Sequence, residues 1–180
     1  GMLAKVAQRL GEDHRLELIY RGASFDGAVP SNGTAVINDS SNFLLEREQQ
    51  THNASLEYRY SPQSKVFDTQ VLAYVNRVEM DEARVSDGRD DRTELDTLGL
   101  NINNTSRFES GLGEIAVLYG VDAYRESFSA QRSGDNRPLP PEAESDVWSL
   151  YTQARVPLAD NWRLDLGLRY DDFSTEARNL

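Results

Sequence analysis

The chain has 180 residues, no cysteine, two histidines and a formal net charge of −11. The acidic balance argues against nucleic acid as a partner, and the lack of thiols excludes disulfide scaffolds, cysteine-ligated zinc, iron–sulfur clusters and thiol catalysis. Mean hydropathy is −0.62, no apolar run approaches the ~20 residues of a membrane helix, and no signal peptide opens the chain. One membrane class survives these exclusions. A transmembrane β-barrel alternates lipid-facing and lumen-facing residues, so it is polar on average and silent to hydropathy.

Taken in chain order, the segments carry that alternation. Met2, Ala4, Val6, Gln8 and Leu10 make a fair strand face, although a helix fits this stretch too, and Gly11-Glu12-Asp13 reads as a turn. Leu16, Leu18 and Tyr20 alternate with Arg15, Glu17 and Arg21. Ala54, Leu56, Tyr58 and Tyr60 alternate with Asn53, Ser55, Glu57 and Arg59. Val66 to Arg77 is apolar on both faces in its middle, which leaves its orientation open. Leu98, Leu100 and Ile102 share a face, as do Ile115, Val117, Tyr119 and Val121, and then Trp148, Leu150, Thr152 and Ala154. The clearest case is last: Trp162, Leu164, Leu166, Leu168 and Tyr170 against Arg163, Asp165, Gly167, Arg169 and Asp171. A helix would scatter these residues around its circumference. The expected fold is all-β, an antiparallel up-and-down meander of about eight strands forming a barrel or a barrel fragment.

The connections sort by length. Short ones are expected at Gly11–Asp13, Ser61–Ser64, Ser110–Gly113 and Val156–Asn161, and long polar ones at Ser24–Glu48, Glu79–Thr93 and Ser129–Ser145. In a meander, alternate connections lie at opposite ends, so all short turns fall at one end and all long loops at the other. Outer-membrane barrels are built in this way. Tyr20, Tyr58, Tyr60, Trp148, Trp162 and Tyr170 lie on apolar faces near the expected strand ends, where membrane-interface aromatics belong.

Several segments resemble one family. Leu166-Gly167-Leu168-Arg169-Tyr170-Asp171 resembles a barrel strand recurrent in TonB-dependent outer-membrane receptors. Tyr119-Gly120-Val121-Asp122-Ala123-Tyr124-Arg125, following Thr105-Ser106-Arg107-Phe108, resembles another. His14 to Leu18 and Ala54 to Pro62 are similar to strands of the haem and haemoglobin receptor branch. The resemblance covers nearly the whole chain. It implies an outer-membrane location and a barrel of ~22 strands around a plug. It also implies uptake of haem, a siderophore or another iron carrier, with energy from an inner-membrane coupling protein. On this reading residues 1–180 are one barrel-type domain, a part of the receptor barrel in contact with outer-membrane lipid and without the plug. The haem branch's downstream loop signature and its ligand histidine have no match in this chain.

Candidate sites are few. His52 heads a strand descending from a long loop and is the one candidate cofactor-binding residue; its parity puts it on the apolar face, and since no sequence signal marks the fixed second shell that a haem axial ligand needs, a solvated or rim histidine is expected. His14 lies beside a short turn. Asp81, Glu82, Asp87, Gly88, Asp90 and Asp91 make an acidic loop without EF-hand spacing, so a solvated loop is expected and not a metal site. No phosphate loop, nucleophile elbow or paired histidine ligands occur, and no enzymatic activity or cofactor is expected. An alternative from another class is a soluble eight-stranded lipocalin-like barrel binding an apolar ligand, with the leucine stripes turned inward. For the chain alone in water the expectation is closure into a small barrel or self-association, since open edges and apolar stripes both seek cover.

Overall fold

The structure is a computed structural model that describes residues 1–38, 40–133, 135–136 and 142–178. It is strands and turns throughout these residues. The strands are β1 (Met2–Arg9), β2 (His14–Pro30), β3 (Leu44–Tyr60), β4 (Thr69–Arg84), β5 (Asp90–Ser110), β6 (Gly113–Arg132), β7 (Asp135–Asn136), β8 (Glu142–Ala159) and β9 (Trp162–Arg178). Each long strand pairs antiparallel with the next, in the order β1-β2-β3-β4-β5-β6-β8-β9, while β7 is a two-residue addition on β6. The meander is therefore as expected, and Met2–Arg9 is a strand. The sheet is not closed: β1 and β9 are its two edges, so the expected small barrel does not form.

The strands run well beyond the segments that alternation marks. β2 continues to Pro30, β3 begins at Leu44 and β5 begins at Asp90. At ~3.3 Å per residue, the 17 residues of β3 span about 56 Å. A membrane crossing needs only ~9–11 residues. This redistributes the connections. The long one expected at Ser24–Glu48 contracts to residues 31–43, and the one at Glu79–Thr93 to residues 85–89. The expected short turn at Ser61–Ser64 widens to residues 61–68. Length therefore alternates less strictly than the sequence suggests. Of the connection expected at Ser129–Ser145, residues 134 and 137–141 lie outside the described residues.

Local chemistry sets the turns. Gly11, Gly88 and Gly113 take φ values of 82°, 69° and 127°, which favour glycine. In the β5–β6 hairpin the Ser110 hydroxyl donates to the Gly113 carbonyl at 2.7 Å and accepts from the Leu112 amide. Residues 65–68 fold back along the end of β5. There the Asn104 side chain, only 8% exposed, accepts from the Asp68 amide and the Thr69 hydroxyl and donates to the Val66 carbonyl. The uncertain Val66–Arg77 stretch is thereby resolved: Val66 and Phe67 belong to the turn, and the strand starts at Thr69.

Only Leu45 and Ala130 are buried hydrophobic residues among those described. A single-layer sheet has no interior of its own, so its apolar side chains must be covered by something other than this chain.

Candidate functional site

Register-paired residues point to the same face, so cross-strand rungs can be read directly. On one face Leu16, Tyr58, Val71, Ile102, Val121, Leu150 and Tyr170 form a single rung. The next rung is Leu18, Leu56, Ala73, Leu100, Ala123 and Trp148. Most of these large side chains are exposed; Leu168 on the same face is 77% accessible. The apolar band ends abruptly. One rung above Tyr20, Ala54, Val75 and Leu98 come Gly22, His52, Arg77 and Asp96. Across β6 and β8 the border drops one rung, to Arg125 and Asp146, and on β9 it drops again, to Asp172. A band that descends stepwise across the rungs is what strands tilted against a flat slab produce.

The six aromatic residues fall at the borders of this band. Tyr58, Tyr60 and Trp162 sit toward the turn end bearing residues 10–13, 61–68 and 160–161. Tyr20, Trp148 and Tyr170 sit at the opposite border, which is mid-strand and not near strand ends, because the strands continue past it. Trp148 and Tyr170 pack with ring centroids 5.6 Å apart. Eight residues separate Trp162 from Tyr170 along β9, about 26 Å at ~3.3 Å per residue. At a tilt of ~40° that is about 20 Å of height, close to the ~25 Å band of outer-membrane barrels.

Both histidines belong to this face, one at each border. His14 is 2.7 Å from the Tyr58 hydroxyl through Nδ1 and stacks on Tyr60 at 4.8 Å. His52 is 2.6 Å from the Tyr20 hydroxyl through Nδ1. Its exposed side chain stands in the middle of β3, because that strand starts eight positions earlier than the alternation suggests. Of the acidic loop, Asp81, Glu82, Asp90 and Asp91 are strand residues and only Asp87 and Gly88 lie in the turn. Among the described residues no group of three or more histidine, aspartate or glutamate side chains is placed to hold a metal ion.

The other face is polar beneath the band. Arg15 and Lys5 pair with Glu17, Arg155 and Arg163 with Asp165, and Arg169 with Asp171. Two tyrosines here lie flat over glycines. Tyr74 covers Gly99, where an added Cβ would strike the ring, and Tyr151 covers Gly120. Asn101 donates to the Tyr151 hydroxyl at 3.1 Å, holding that ring down. Glycine in a strand costs stability unless its open backbone is covered, and an aromatic neighbour does this. These contacts join residues distant in sequence, and the alternation of the strands does not reveal them.

A one-layer antiparallel meander, apolar across a tilted slab on one face and charged on the other, is the wall of an outer-membrane-type β-barrel. The chain belongs to the TonB dependent receptor-like β-barrel family, whose model matches residues 5–180. It is 27% identical over its whole length to heme/hemopexin utilization protein C of Haemophilus influenzae (strain 86-028NP), covering 31% of that protein. To a second Haemophilus influenzae protein of the same name it is 23% identical, covering 30% of it. The chain thus spans about a third of the length of the curated relatives it matches. Among solved structures it is similar in fold to a double mutant of the Serratia marcescens hemophore receptor HasR in complex with its hemophore HasA and heme. The TM-score is 0.75 with 23% identity, over 95% of this chain and 24% of that one. Family membership and the open sheet together overturn the lipocalin-like alternative. The leucine stripes lie exposed on one face of an open sheet and line no closed pocket.

Proposed function

We propose that this chain forms part of an outer-membrane receptor that imports haem or a haem-bearing carrier, a transport protein and not an enzyme. The observation that carries this is the family match, together with relatives that bear the name of haem and hemopexin utilization. On this reading the apolar band is the lipid face. Tyr58, Tyr60 and Trp162 mark one membrane interface, and Tyr20, Trp148 and Tyr170 the other, with His14 and His52 as rim residues hydrogen-bonded to interfacial tyrosines. Residues 31–38, 40–43 and 85–89 then lie on the side from which the carrier arrives, and the turns 10–13, 61–68, 111–112 and 160–161 face the periplasm. Import against a gradient requires energy from an inner-membrane coupling protein, the second partner of this reading. The test is an in-frame deletion of the coding sequence for residues 1–180 in a strain with no other haem receptor. Growth with haem as sole iron source should be lost while growth on an inorganic iron salt is unchanged. Unimpaired growth on haem would refute the proposal.

A further inference from the structure

On β5 the lipid-side column reads Leu98, Leu100, Ile102, Asn104, Ser106 and Phe108. Two polar side chains interrupt an apolar run. Asn104 shares its rung with Tyr60, Tyr119 and Leu168, which puts it at the height of the apolar band. A bare amide there would meet hydrocarbon without hydrogen bonds, at a cost in free energy. Neither side chain is bare, since Asn104 is 8% and Ser106 4% exposed. Asn104 donates to the Val66 carbonyl at 2.9 Å and to the Tyr119 hydroxyl at 3.0 Å, and it accepts from the Asp68 amide and the Thr69 hydroxyl. The Ser106 hydroxyl donates to the same Val66 carbonyl at 2.8 Å.

The cover is the segment 65–68, just before β4. The Thr105 amide donates to the Asp68 carbonyl at 3.0 Å, and the Arg107 amide to the Lys65 carbonyl at 2.6 Å. Two residues, Val66 and Phe67, therefore oppose one, Ser106, which is the count of a β-bulge. Asp68 and Lys65 turn to the opposite, lumenal face. There Arg107 donates to Asp68 at 3.0 Å and Lys65 to Glu109 at 2.6 Å. Val66 and Phe67 are left on the lipid side, 48% and 52% exposed.

We infer that Val66 and Phe67 form a membrane-contact patch, seated shallowly in the periplasmic leaflet of the outer membrane and held down by Asn104 and Ser106. Its occupant is lipid hydrocarbon, because the patch continues the apolar band. Tyr60 marks the lower border on β3 and shares its rung with Leu168, whereas Trp162 marks it on β9, below Leu166 and Leu164. Between them, at β4 and β5, the border falls level with Ser106. The bulge thus closes a gap in the lipid face that the end of β4 at Thr69 would leave open. This rests on the reading of the apolar band as the lipid face, and it leaves residues 61–64 as the periplasmic part of that turn.

The substitutions Phe67→Cys, Gln63→Cys and Leu166→Cys, each labelled with an environment-sensitive fluorophore, read depth in the chain inserted into phosphatidylcholine vesicles. The quenchers are lipid spin labels near the headgroup or near the chain end, and iodide in the water on both sides. The fluorophore at residue 67 should be quenched about twofold or more better by the shallow spin label than by the deep one, as an interfacial apolar side chain is. Residue 63 should answer to iodide and residue 166 to the deep label. Asn104→Ala should release the segment, exposing residue 67 to iodide and leaving residue 166 unchanged. A fluorophore at residue 67 open to iodide and untouched by either spin label would assign these side chains to a soluble periplasmic partner and overturn the inference. Unchanged quenching at residue 67 in Asn104→Ala would overturn the anchoring. Residue 166 in lipid with residue 67 in water removes this inference alone; both in water removes the lipid-face reading with it.

Discussion

Gly120→Ala is the most demanding test of the lumenal packing. A Cβ at residue 120 would stand 2.5 Å from the Ile102 carbonyl oxygen, and 2.7 and 2.8 Å from the Tyr151 hydroxyl and Cζ. The tyrosine can swing aside, but only by giving up its hydrogen bonds with Asn101. The carbonyl belongs to β5 and moves only with that strand. Overpacking of this kind costs about 1–3 kcal/mol, offset in part by the ~0.5–1 kcal/mol that alanine recovers over glycine within a strand. Gly167 is the internal control. On the same lumenal face its nearest neighbour is the Thr152 carbonyl at 3.9 Å, so Gly167→Ala meets ordinary contact and should be neutral or stabilising by up to ~1 kcal/mol. Urea unfolding of the chain in detergent micelles, followed by the fluorescence of Trp148 and Trp162, separates the two. With a slope of about 2 kcal/mol per molar, Gly120→Ala should lower the midpoint by roughly 0.5–1 M and Gly167→Ala should leave it level or higher. Equal effects from the two substitutions, or a stabilised Gly120→Ala, would refute the argument.

Leu166→Arg, on the lipid-side face within the apolar stripe of β9, should destabilise the bilayer-inserted chain by about 2–4 kcal/mol, whereas Ser127→Arg on the same parity above the band should change it by under ~1 kcal/mol; folding titrations in lipid vesicles read both. Asn42→Ala removes the hub of residues 31–43, since that side chain accepts from Ser31 and Asn32 and donates to the Asn32 and Ala35 carbonyls. It should raise the local protease cleavage rate about tenfold or more, for ~1–3 kcal/mol of local opening, with the global unfolding midpoint unchanged. The Arg125 guanidinium, hydrogen-bonded to Asp146 above the membrane band, holds that carboxyl below its usual range. A depressed folded value means the contribution is present above the unfolded aspartate range and is lost as pH falls through the folded one. Asp146→Asn should flatten the acid limb of the stability profile, measured by unfolding below pH 5.

The lower halves of the strands are legible because there one face is consistently apolar and the other polar, the pattern that a wall between lipid and water requires. Trp162 to Tyr170 alternates without a break for that reason. The upper halves were hidden because both partners of the alternation change there. In β4, Val78 and Met80 turn inward between Glu79 and Asp81, and a charged stretch of this kind reads as loop. What keeps it a strand is the ladder to β3 and β5, with Arg77 and Arg92 neutralising Glu79 and Glu94 across it. His52 stands mid-strand and not at a strand start for the same reason: Gln49, Gln50 and Thr51 carry no apolar face to announce β3. The tyrosine–glycine pairs depend on register between strands, which no single strand encodes.

The central claim is that β9 crosses the membrane only between Trp162 and Tyr170, with its leucines toward lipid. The chain has no cysteine, so single cysteines placed from residue 162 to residue 178 in the bilayer-inserted protein can each be probed with a membrane-impermeant maleimide. Labelling should alternate up to Tyr170, with 164, 166 and 168 protected and 163, 165 and 169 reactive, and then become continuous from Asp172 onward. Uniform labelling across 162–170, or protection extending unbroken to Arg178, would contradict it.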